Sequence, residues 1–386
     1  MKNIILYSLI FLCIISWNVL DSETGNLSTL SFFTFTFSIY GIILVHSSTF
    51  SIKNVKALMK KNISLSEMDI SVKFADIYRD LVDNNRKKLE EVRKDFLRTH
   101  FIIILIILLL FCIMLISCIL FFFYNKDDGT DRYNFYVAMS SLNCFVLLFV
   151  LVDKFYKRYY IKFYKENIIS TLITKINDSY VYENRCTNVN ELEKYYANAN
   201  FIKHGKIGRY KAEDYIYGKT KEKSRIHIAD VYAQTVYADG ILIKMDRFNG
   251  MFTYIQTTNN IDGEVRISKN KKHKRISEKY NKIEIEGHDF EKYFDVKSED
   301  RILAIRLITP EFIEALSEFY KYYEINFDIV IRDDCIYIRF YTGDLFEPLV
   351  WKKSMDLSIF YFYYKMFELV EKITRATNKA LTDVIT

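Results

Sequence analysis

The chain lacks the cysteine and histidine spacings that hold metal ions or build disulfide frameworks. Only six cysteines occur among 386 residues, and no C-x-x-C pair is present. Four of the six fall inside apolar runs, where cysteine behaves as a small hydrophobe. None of the six histidines has a second histidine four residues away or a cysteine within a few residues. These absences argue against a zinc site and a disulfide scaffold, and we expect no bound metal and no cofactor.

Glycine and proline are also sparse, with 11 and 2 occurrences. No G-x-x-x-x-G-K or G-x-G-x-x-G motif occurs, so a loop that cradles phosphate is not expected. The net charge of +6 is mild for this length and argues against a broad basic face for nucleic acid. The densest basic run is Lys269–Arg275, and no aromatic stacking platform flanks it. A solvated hairpin tip is therefore favoured there over a contact with anionic lipid or nucleic acid.

What the sequence does contain is long apolar runs. The clearest is Phe101–Tyr124, which has no charged or amide side chain and is long enough to cross a hydrocarbon core about 30 Å thick. A second run covers about Phe135–Val152, and two weaker ones cover Ile4–Leu20 and Leu30–Val45. We predict four transmembrane helices. The first run could instead be a cleaved signal peptide, but no small-x-small cleavage site follows it, so a retained helix is favoured.

The distribution of positive charge predicts the orientation. Twelve Lys and Arg residues lie in Ser51–His100, whereas segments 21–29 and 125–134 are acidic on balance. Because cationic loops stay on the cytoplasmic side, both termini are predicted to be cytoplasmic. The use of Ile, Lys, Asn, Phe and Tyr is typical of an AT-rich bacterial genome. We therefore expect a multi-pass protein of the bacterial cytoplasmic membrane.

Cations interleaved with aromatic rings follow the fourth apolar run. Such a segment suits the membrane interface, with rings at headgroup depth and cations near anionic phosphates. Each cation near an anionic surface contributes about 1 kcal/mol. The predicted membrane-interface residues are Lys154, Lys157, Arg158, Lys162 and Lys165.

The segment between the second and third apolar runs predicts a long helix over residues 66–99. Apolar side chains recur there at helical spacing, at Ile70, Phe74, Ile77 and Leu81 and again at Leu89, Val92 and Phe96. No Pro or Gly interrupts the path into the third run, so helix and span can be continuous. A coiled-coil stalk and a helix packed on the cytoplasmic domain both fit this pattern. The second is favoured because fewer than two heptads are clean on either side of the central asparagines.

The last part of the chain predicts a mixed domain. Strand patterns occur at Tyr215–Gly218, Ser224–Ala233, Ile241–Met245 and Lys282–Glu286. Ile325–Arg332 and Cys335–Tyr341 predict a hairpin with a turn at Asp333 and Asp334. Thr309-Pro310-Glu311 predicts the start of a helix that ends near Tyr322, and a final helix is predicted at about Leu357–Leu381. The fold class is therefore α+β, with helices bracketing a mainly antiparallel sheet attached to four transmembrane helices.

These segments give a predicted domain organisation. Residues 1–50 hold transmembrane helices 1 and 2, residues 51–100 a cytoplasmic helical segment, residues 101–152 transmembrane helices 3 and 4, and residues 153–386 the cytoplasmic α+β domain. The ordered domain is long enough to bury one sufficient core.

Several blocks of this domain resemble a known family. They are Tyr215–Lys219, Phe248–Phe252, Phe290–Leu316 and Ile338–Pro348, of which Phe290–Leu316 is the most specific. Together they resemble the bacterial membrane-protein family called domain of unknown function 3137, over about residues 155–378. The resemblance implies anchoring by upstream membrane helices. No activity or catalytic residue is established for that family, so it implies no site residue.

The residues themselves offer no catalytic constellation. His227 alternates with Ile226 and Ile228, and we expect it on the exposed face of a strand. Glu311, Glu314 and Glu318 share one helix face and are interpreted as solvated partners of the helix dipole rather than as metal ligands. The apolar runs hold no Asp, Glu, Lys or Arg, which argues against an ion pathway.

The sequence therefore favours a non-enzymatic membrane anchor or scaffold whose cytoplasmic domain binds a protein or lipid partner. A membrane-surface enzyme without a recognisable motif and a subunit of a transport complex are the alternatives. The expected partners are the lipid bilayer, another protein or a second copy of the chain, and anionic lipid headgroups. Nucleic acid is not expected.

Overall fold

The computed structural model describes the helix that enters the third predicted span and most of the C-terminal half of the chain. The described residues are 72–124, 158–202, 204–239, 242–269, 281–285, 290–348 and 357–382. The predicted spans Ile4–Leu20, Leu30–Val45 and Phe135–Val152 and most of the run Lys269–Arg275 lie outside them. Within the described ranges, no helix satisfies both the length and the hydropathy required of a membrane span. Apart from Thr342–Asp344, these residues belong to one compact unit.

The described part of the chain contains seven helical segments and seven strands. The helices are α1 (Val72–Tyr124), α2 (residues 158–176, with a π-helical turn at Lys165–Ile169 before Ser170–Ile176), α3 (Val189–Asn198), α4 (Phe290–Tyr293), α5 (Arg301–Leu307), α6 (Pro310–Tyr323) and α7 (Leu357–Thr382). The strands are β1 (Val181–Arg185), β2 (Lys206–Lys219), β3 (Arg225–Asp239), β4 (Leu242–Lys269), β5 (Asn281–Ile283), β6 (Phe294–Ser298) and β7 (Phe327–Phe340).

All seven strands join one antiparallel sheet with β4 at its centre. Strands β1, β2, β3 and β4 pair in chain order, and the later part of β4 pairs with β6, which in turn pairs with β5. β7 runs along the other edge of β4. Pairing between neighbours in the chain, with helices beside the sheet, confirms the α+β class and the antiparallel sheet.

The predicted hairpin around Asp333 and Asp334 is wrong. The chain runs as one strand from Phe327 to Phe340, and the residues on both sides of Asp333 pair antiparallel with β4. A type I′ hairpin turn needs positive φ at both central residues. Only Asp333 has it, with φ of 55°. A single left-handed residue fits a β-bulge, and the register against β4 shifts there.

The predicted helix boundaries near the C-terminus are confirmed. Thr309 caps α6 by accepting a hydrogen bond from the Phe312 amide at 3.3 Å, and Pro310 occupies the first turn, where its missing N–H has no cost. The last helix begins at Leu357 as predicted. The first residue of a helix depends on side chains that are close in sequence, so these two helix starts can be predicted from the sequence.

The sheet buries side chains on both faces. Phe248, Phe252 and Tyr254 of β4 join the core cluster beneath α3, whereas Met251 and Ile255, which alternate with them, are buried on the other side. Helices α6 and α7 pack together near the end of β7, and ring contacts join Phe319 of α6 to Phe340 and Phe362. The short helix α3 covers the face of the sheet that carries Phe248, Phe252 and Tyr254.

Helix α1 packs on this domain through the predicted apolar stripe. Phe74 is fully buried, and its ring lies 5.1 Å from Tyr361 and 5.3 Å from Tyr364 of α7. Farther along α1, Phe96 contacts Tyr160 of α2 with ring centroids 5.9 Å apart. This arrangement is the one expected of a helix packed on the α+β domain rather than of a free stalk.

Candidate functional site

A group of buried charged side chains lies where α2 meets strand β2. Lys165, in the π-helical turn, is only 2 % exposed. Its ammonium nitrogen lies 2.7 Å from a carboxylate oxygen of Asp214 and 2.7 Å from one of Glu347. The hydroxyl of Tyr182 on β1 donates a hydrogen bond to the other carboxylate oxygen of Asp214. We call Lys165, Asp214, Glu347 and Tyr182 the lysine cluster.

Two backbone irregularities lie at the residues that form the lysine cluster. Asp214 has φ of 52°, a region that residues other than glycine rarely adopt, and it sits at a register shift between β2 and β3. Lys165 begins the π-helical turn of α2, and such turns often occur at functional sites. The cluster is therefore the strongest candidate for a functional site that the backbone itself indicates.

The electrostatics of the cluster make one group titrate near neutral pH. Burial raises the pKa of Asp214 to about 6, although the neighbouring Lys165 opposes this shift. Burial alone would lower the pKa of Lys165, but the carboxylates of Asp214 and Glu347 outweigh it and raise that pKa. Burial and the Asp214 carboxylate also raise the pKa of Tyr182. Lys165 and Tyr182 thus keep their protons while Asp214 gains and loses one.

The lysine cluster is better suited to holding α2 against the sheet than to catalysis. Lys165 and Asp214 have side chains 2 % and 3 % exposed, and only Glu347, at 27 %, reaches solvent appreciably. Neither of the two concave regions described below is lined by these residues. The ion pairs join α2 to β2 and to the segment after β7, so they connect the helix that follows the fourth predicted span to the sheet.

A second buried cation lies under α3. Arg339 is 1 % exposed; its Nε lies 2.6 Å from Asp328 and an Nη nitrogen lies 3.1 Å from Asp246. The guanidinium carbon stands 4.6 Å from the ring centre of Phe201, a cation–π distance. Burial opposes the charge, but Asp328 and its neighbours hold the pKa of Arg339 well above its usual value. We call Arg339, Asp328 and Asp246 the arginine cluster; it is enclosed and structural.

His227 is buried, which corrects the prediction that it lies on an exposed strand face. The residue is 9 % exposed, and its Nδ1 lies 2.6 Å from the hydroxyl of Tyr215. The ring of Tyr195 from α3 covers it at 5.5 Å. Burial lowers the pKa of the imidazole, so His227 is neutral at physiological pH. Strand alternation gave its face correctly, but the sequence did not reveal that α3 covers that face.

The five predicted membrane-interface residues do not share one environment. Lys154 and Lys157 lie outside the described residues. Arg158 and Lys162 are exposed, as a role at an interface requires. Lys165 differs: its ammonium is enclosed by two carboxylates inside the protein, so it does not reach lipid headgroups. The prediction that Lys165 lies at the membrane interface is therefore wrong, although the residue belongs to the same run of cations in the sequence.

A groove lies between α6 and α7. Its volume is about 160 Å³, with Phe319, Tyr323 and Tyr361 among its lining residues. Charged side chains also line it, and the ammonium of Lys372 lies 3.7 Å from Glu318. The hydroxyl of Tyr323 is buried without a hydrogen-bond partner among the described residues. We call this feature the α6–α7 groove.

The other concave region is a wider depression beside α3, of about 680 Å³. It is lined only by residues of the segment Thr187–Asn198, so no second element closes it. No group of three or more His, Cys, Asp or Glu side chains that could hold a metal ion occurs in the described part of the chain. Glu311, Glu314 and Glu318 are exposed, as predicted. Glu311 and Glu318 also pair with Lys379 and Lys372 of α7 at 3.3 Å and 3.7 Å.

Part of the chain is similar to a known protein family. Residues 246–379 match the family described as Protein of unknown function (DUF3137). The match confirms the resemblance predicted from the sequence over this segment, which contains the arginine cluster and the α6–α7 groove. Residues 155–245, with α2 and most of the lysine cluster, lie outside the match. No curated protein and no solved structure matches the chain.

Proposed function

We propose that this chain is a multi-pass membrane protein that holds a non-enzymatic binding domain at the cytoplasmic face of the membrane. The observation that carries the proposal is the change of surface along α1. Its first half is buried in the domain at Phe74 and Phe96, which are 0 % and 6 % exposed. Its continuation presents large apolar side chains to the surroundings.

The exposed part of α1 has the surface of a helix that needs an apolar environment. Phe101 and Leu109 are each 61 % exposed, and Leu105 is 49 % exposed. Ile102 and Ile106, which project from a neighbouring face, are 45 % and 51 % exposed. A helix that is apolar around its circumference is suited to a protein core or a bilayer, and soluble proteins rarely leave such a patch in water. The uncharged run to Tyr124 is long enough to span.

The charges at the start of this surface support the proposed sidedness. Arg98 is exposed one turn before the apolar surface of α1 begins. Arg158 and Lys162, which are exposed on α2, lie close in sequence to Tyr160, whose ring contacts Phe96. Cations therefore gather at one level of the two helices, where a cytoplasmic interface favours them.

The concave surfaces support binding rather than catalysis. The lysine and arginine clusters are enclosed, and the buried His227 is neutral. The α6–α7 groove offers aromatic surface with charged side chains beside it. Aromatic side chains are enriched at protein interfaces, so we propose a protein segment as the groove's partner.

Two arginines in the apolar part of α1 are expected to weaken membrane integration. An arginine at the centre of a spanning helix costs about 2.5–3.5 kcal/mol on insertion scales, and less near the end of the helix. The full chain should stay in the membrane pellet after alkaline carbonate washing, whereas a larger fraction of the Leu105→Arg/Leu109→Arg variant should be extracted. The matched Leu105→Ala/Leu109→Ala variant should stay in the pellet. Release of the unaltered chain by carbonate would contradict the anchoring proposal.

Photo-crosslinking tests the binding surface. A photoreactive residue replacing Lys372, beside the α6–α7 groove, is expected to form one reproducible protein adduct in cells. Lys194, exposed in the depression beside α3, provides the matched control because a lysine is replaced at a second concave surface. Equal labelling from both positions, or none from Lys372, would count against the groove as the binding site.

A further inference from the structure

The β3–β4 hairpin extends beyond its neighbours in the sheet. The first residue of β2, Lys206, pairs with Val236 of β3. On the other side, the last residue of β7, Phe340, pairs with Met251 of β4. The terminal hairpin residues 237–239 and 242–244 pair only with each other among the described residues. They form a two-stranded ribbon that projects from the sheet.

This ribbon carries exposed apolar side chains on both faces. Leu242 is 64 % exposed, Ile243 81 % and Met245 49 %. Because successive side chains of a strand point to opposite faces, Leu242 and Ile243 lie on different faces of the ribbon. Ile243 is the most exposed of the large hydrophobic side chains in the described part of the chain. Folding alone does not explain these residues, since they bury little surface here.

The direction of the ribbon follows from the contacts of α2 with β2. Lys165 meets Asp214 at 2.7 Å, and twelve residues later on the chain Asn177 donates a hydrogen bond to the carbonyl of Lys219, five residues after Asp214, at 3.1 Å. Higher residue numbers on α2 therefore meet higher numbers on β2, and the two elements run in the same direction. Towards lower numbers, α2 leads to residue 158 and β2 leads to Lys206 and the hairpin tip.

The exposed apolar part of α1 lies in that same direction. Phe96 is level with Tyr160 on α2, since their rings touch. At 1.5 Å per helical residue, Phe101 lies about 15 Å beyond the level of Lys165 along the two helices. Strands rise about 3.3 Å per residue, which places the hairpin tip about 36 Å beyond Asp214. Even a strand inclined by about 45° to the helices covers about 25 Å, so the tip reaches the level of Phe101.

The charge around the ribbon suits an anionic surface. Arg247 on β4 and Lys206 and Arg209 on β2 are exposed cations near the base of the ribbon, and Lys244 lies within it. The ribbon also contains one acid, Asp239. A second acid at its base, Asp246, pairs with Arg339 at 3.1 Å. Cations beside an apolar tip match the headgroups and acyl boundary of a cytoplasmic leaflet.

We infer that the tip of the β3–β4 hairpin, centred on Leu242 and Ile243, inserts into the interface of the cytoplasmic leaflet and fixes the domain against the membrane. This inference rests on the proposed membrane anchoring. It gives the bilayer a second contact, distant in sequence from the spans and formed by a part of the domain outside the DUF3137 match. The lysine cluster holds α2 against β2.

Quenching by brominated lipids tests the inference in the full chain reconstituted into vesicles that contain anionic lipid. Trp17 and Trp351 are replaced by phenylalanine, and one tryptophan is introduced as Ile243→Trp. Interfacial apolar groups are buried roughly 5–10 Å into the headgroup boundary, so brominated acyl chains should quench about half of this emission and shift it to the blue. Ile302→Trp is the matched control, because Ile302 is 78 % exposed and lies on α5, which packs near Gly263, far along β4 from the tip.

Each outcome decides between the inference and its alternatives. Strong quenching of Ile243→Trp with little quenching of Ile302→Trp supports insertion of the tip. Unquenched Ile243→Trp in a chain that resists carbonate extraction overturns the inference and leaves the anchoring intact. A blue shift without quenching that grows with the protein-to-lipid ratio shows that a second copy covers the tip, which also overturns it. Release of the chain by carbonate overturns the anchoring and the inference together.

Discussion

Replacing Arg339 by methionine is expected to lower the free energy of unfolding by about 3–5 kcal/mol, because removal of one partner from a buried ion pair leaves uncompensated charge. The guanidinium is 1 % exposed and lies between Asp328 and Asp246, whose side chains are 10 % and 22 % exposed. Methionine keeps much of the apolar volume, so the loss measures charge more than packing. Pulse proteolysis of the full chain in detergent across a urea series gives the measurement.

Arg332 provides the control for this prediction, since it lies in the same strand and also pairs with acids. Its side chain is 31 % exposed, and its partner Asp333 is 67 % exposed. Surface pairs contribute about 0–1 kcal/mol, so Arg332→Met should have a small effect. The double variant Arg339→Met/Asp328→Asn should recover part of the loss. Equal losses in the free energy of unfolding for the two arginine variants would show that the buried ion pairs of Arg339 contribute no more to stability than the exposed pair of Arg332.

The burial of Arg339 could not be predicted from the sequence. Alternation along β7 places Arg339 on the face opposite Ile338 and Phe340, and in an antiparallel sheet that face is often solvated. Helix α3, which covers the face and supplies Tyr196, was not predicted. A charged residue within an otherwise apolar and aromatic strand was the available signal, and it does not distinguish a solvated face from a buried pair.

The features that the sequence did predict are governed by local interactions. The cap at Thr309, the start of α7 and the apolar stripe of α1 depend on residues within a few turns of each other. Only Ile241–Met245 was predicted as a strand in the region of β4, which extends to Lys269 and contains Thr257, Thr258, Asn259 and Asn260, residue types common in loops. The strand instead continues through them, with register shifts against β7. Pairing with strands distant in sequence therefore overrides the local preference.

The lysine cluster could not be predicted because its members are far apart in the chain. Lys165 and Asp214 are separated by 49 positions. In the sequence, Lys165 continues a run of interface cations, and nothing local marks it as different from Lys162. The π-helical turn and the positive φ of Asp214, which single out the pair, are properties of the folded backbone.

Replacing Lys165 by methionine is expected to destabilise the fold by about 3–5 kcal/mol at pH 8, because two carboxylates then face each other without their cation. The loss should shrink towards pH 5. In the unaltered chain, burial already raises the pKa of Asp214 from its ordinary value of 3.8 to about 6. Without Lys165, which opposes this rise, the pKa of Asp214 in the folded state moves higher still.

The sign of the pH dependence follows from proton linkage. Between pH 4 and the folded-state pKa, the folded protein holds a proton on Asp214 that the unfolded chain has released, so this group's contribution to stability falls as the pH rises. The window extends to about pH 6 in the unaltered chain and higher in Lys165→Met, so the difference between them grows above pH 6. The raised pKa of Lys165 itself acts only at strongly alkaline pH.

Substitutions at three positions separate this effect from simple loss of a contact. Asp214→Asn should lose less stability than Lys165→Met at pH 7, because the ammonium of Lys165 keeps Glu347 as an ion-pair partner. Lys165→Met/Asp214→Asn should lose the added pH dependence. Lys162→Met removes an exposed pair with Glu166, whose side chains are 66 % and 52 % exposed, and should have little effect at any pH. Urea unfolding of each variant at pH 5, 7 and 8 gives the comparison, and an equal loss for Lys165→Met at all three would contradict the proposed titration of Asp214.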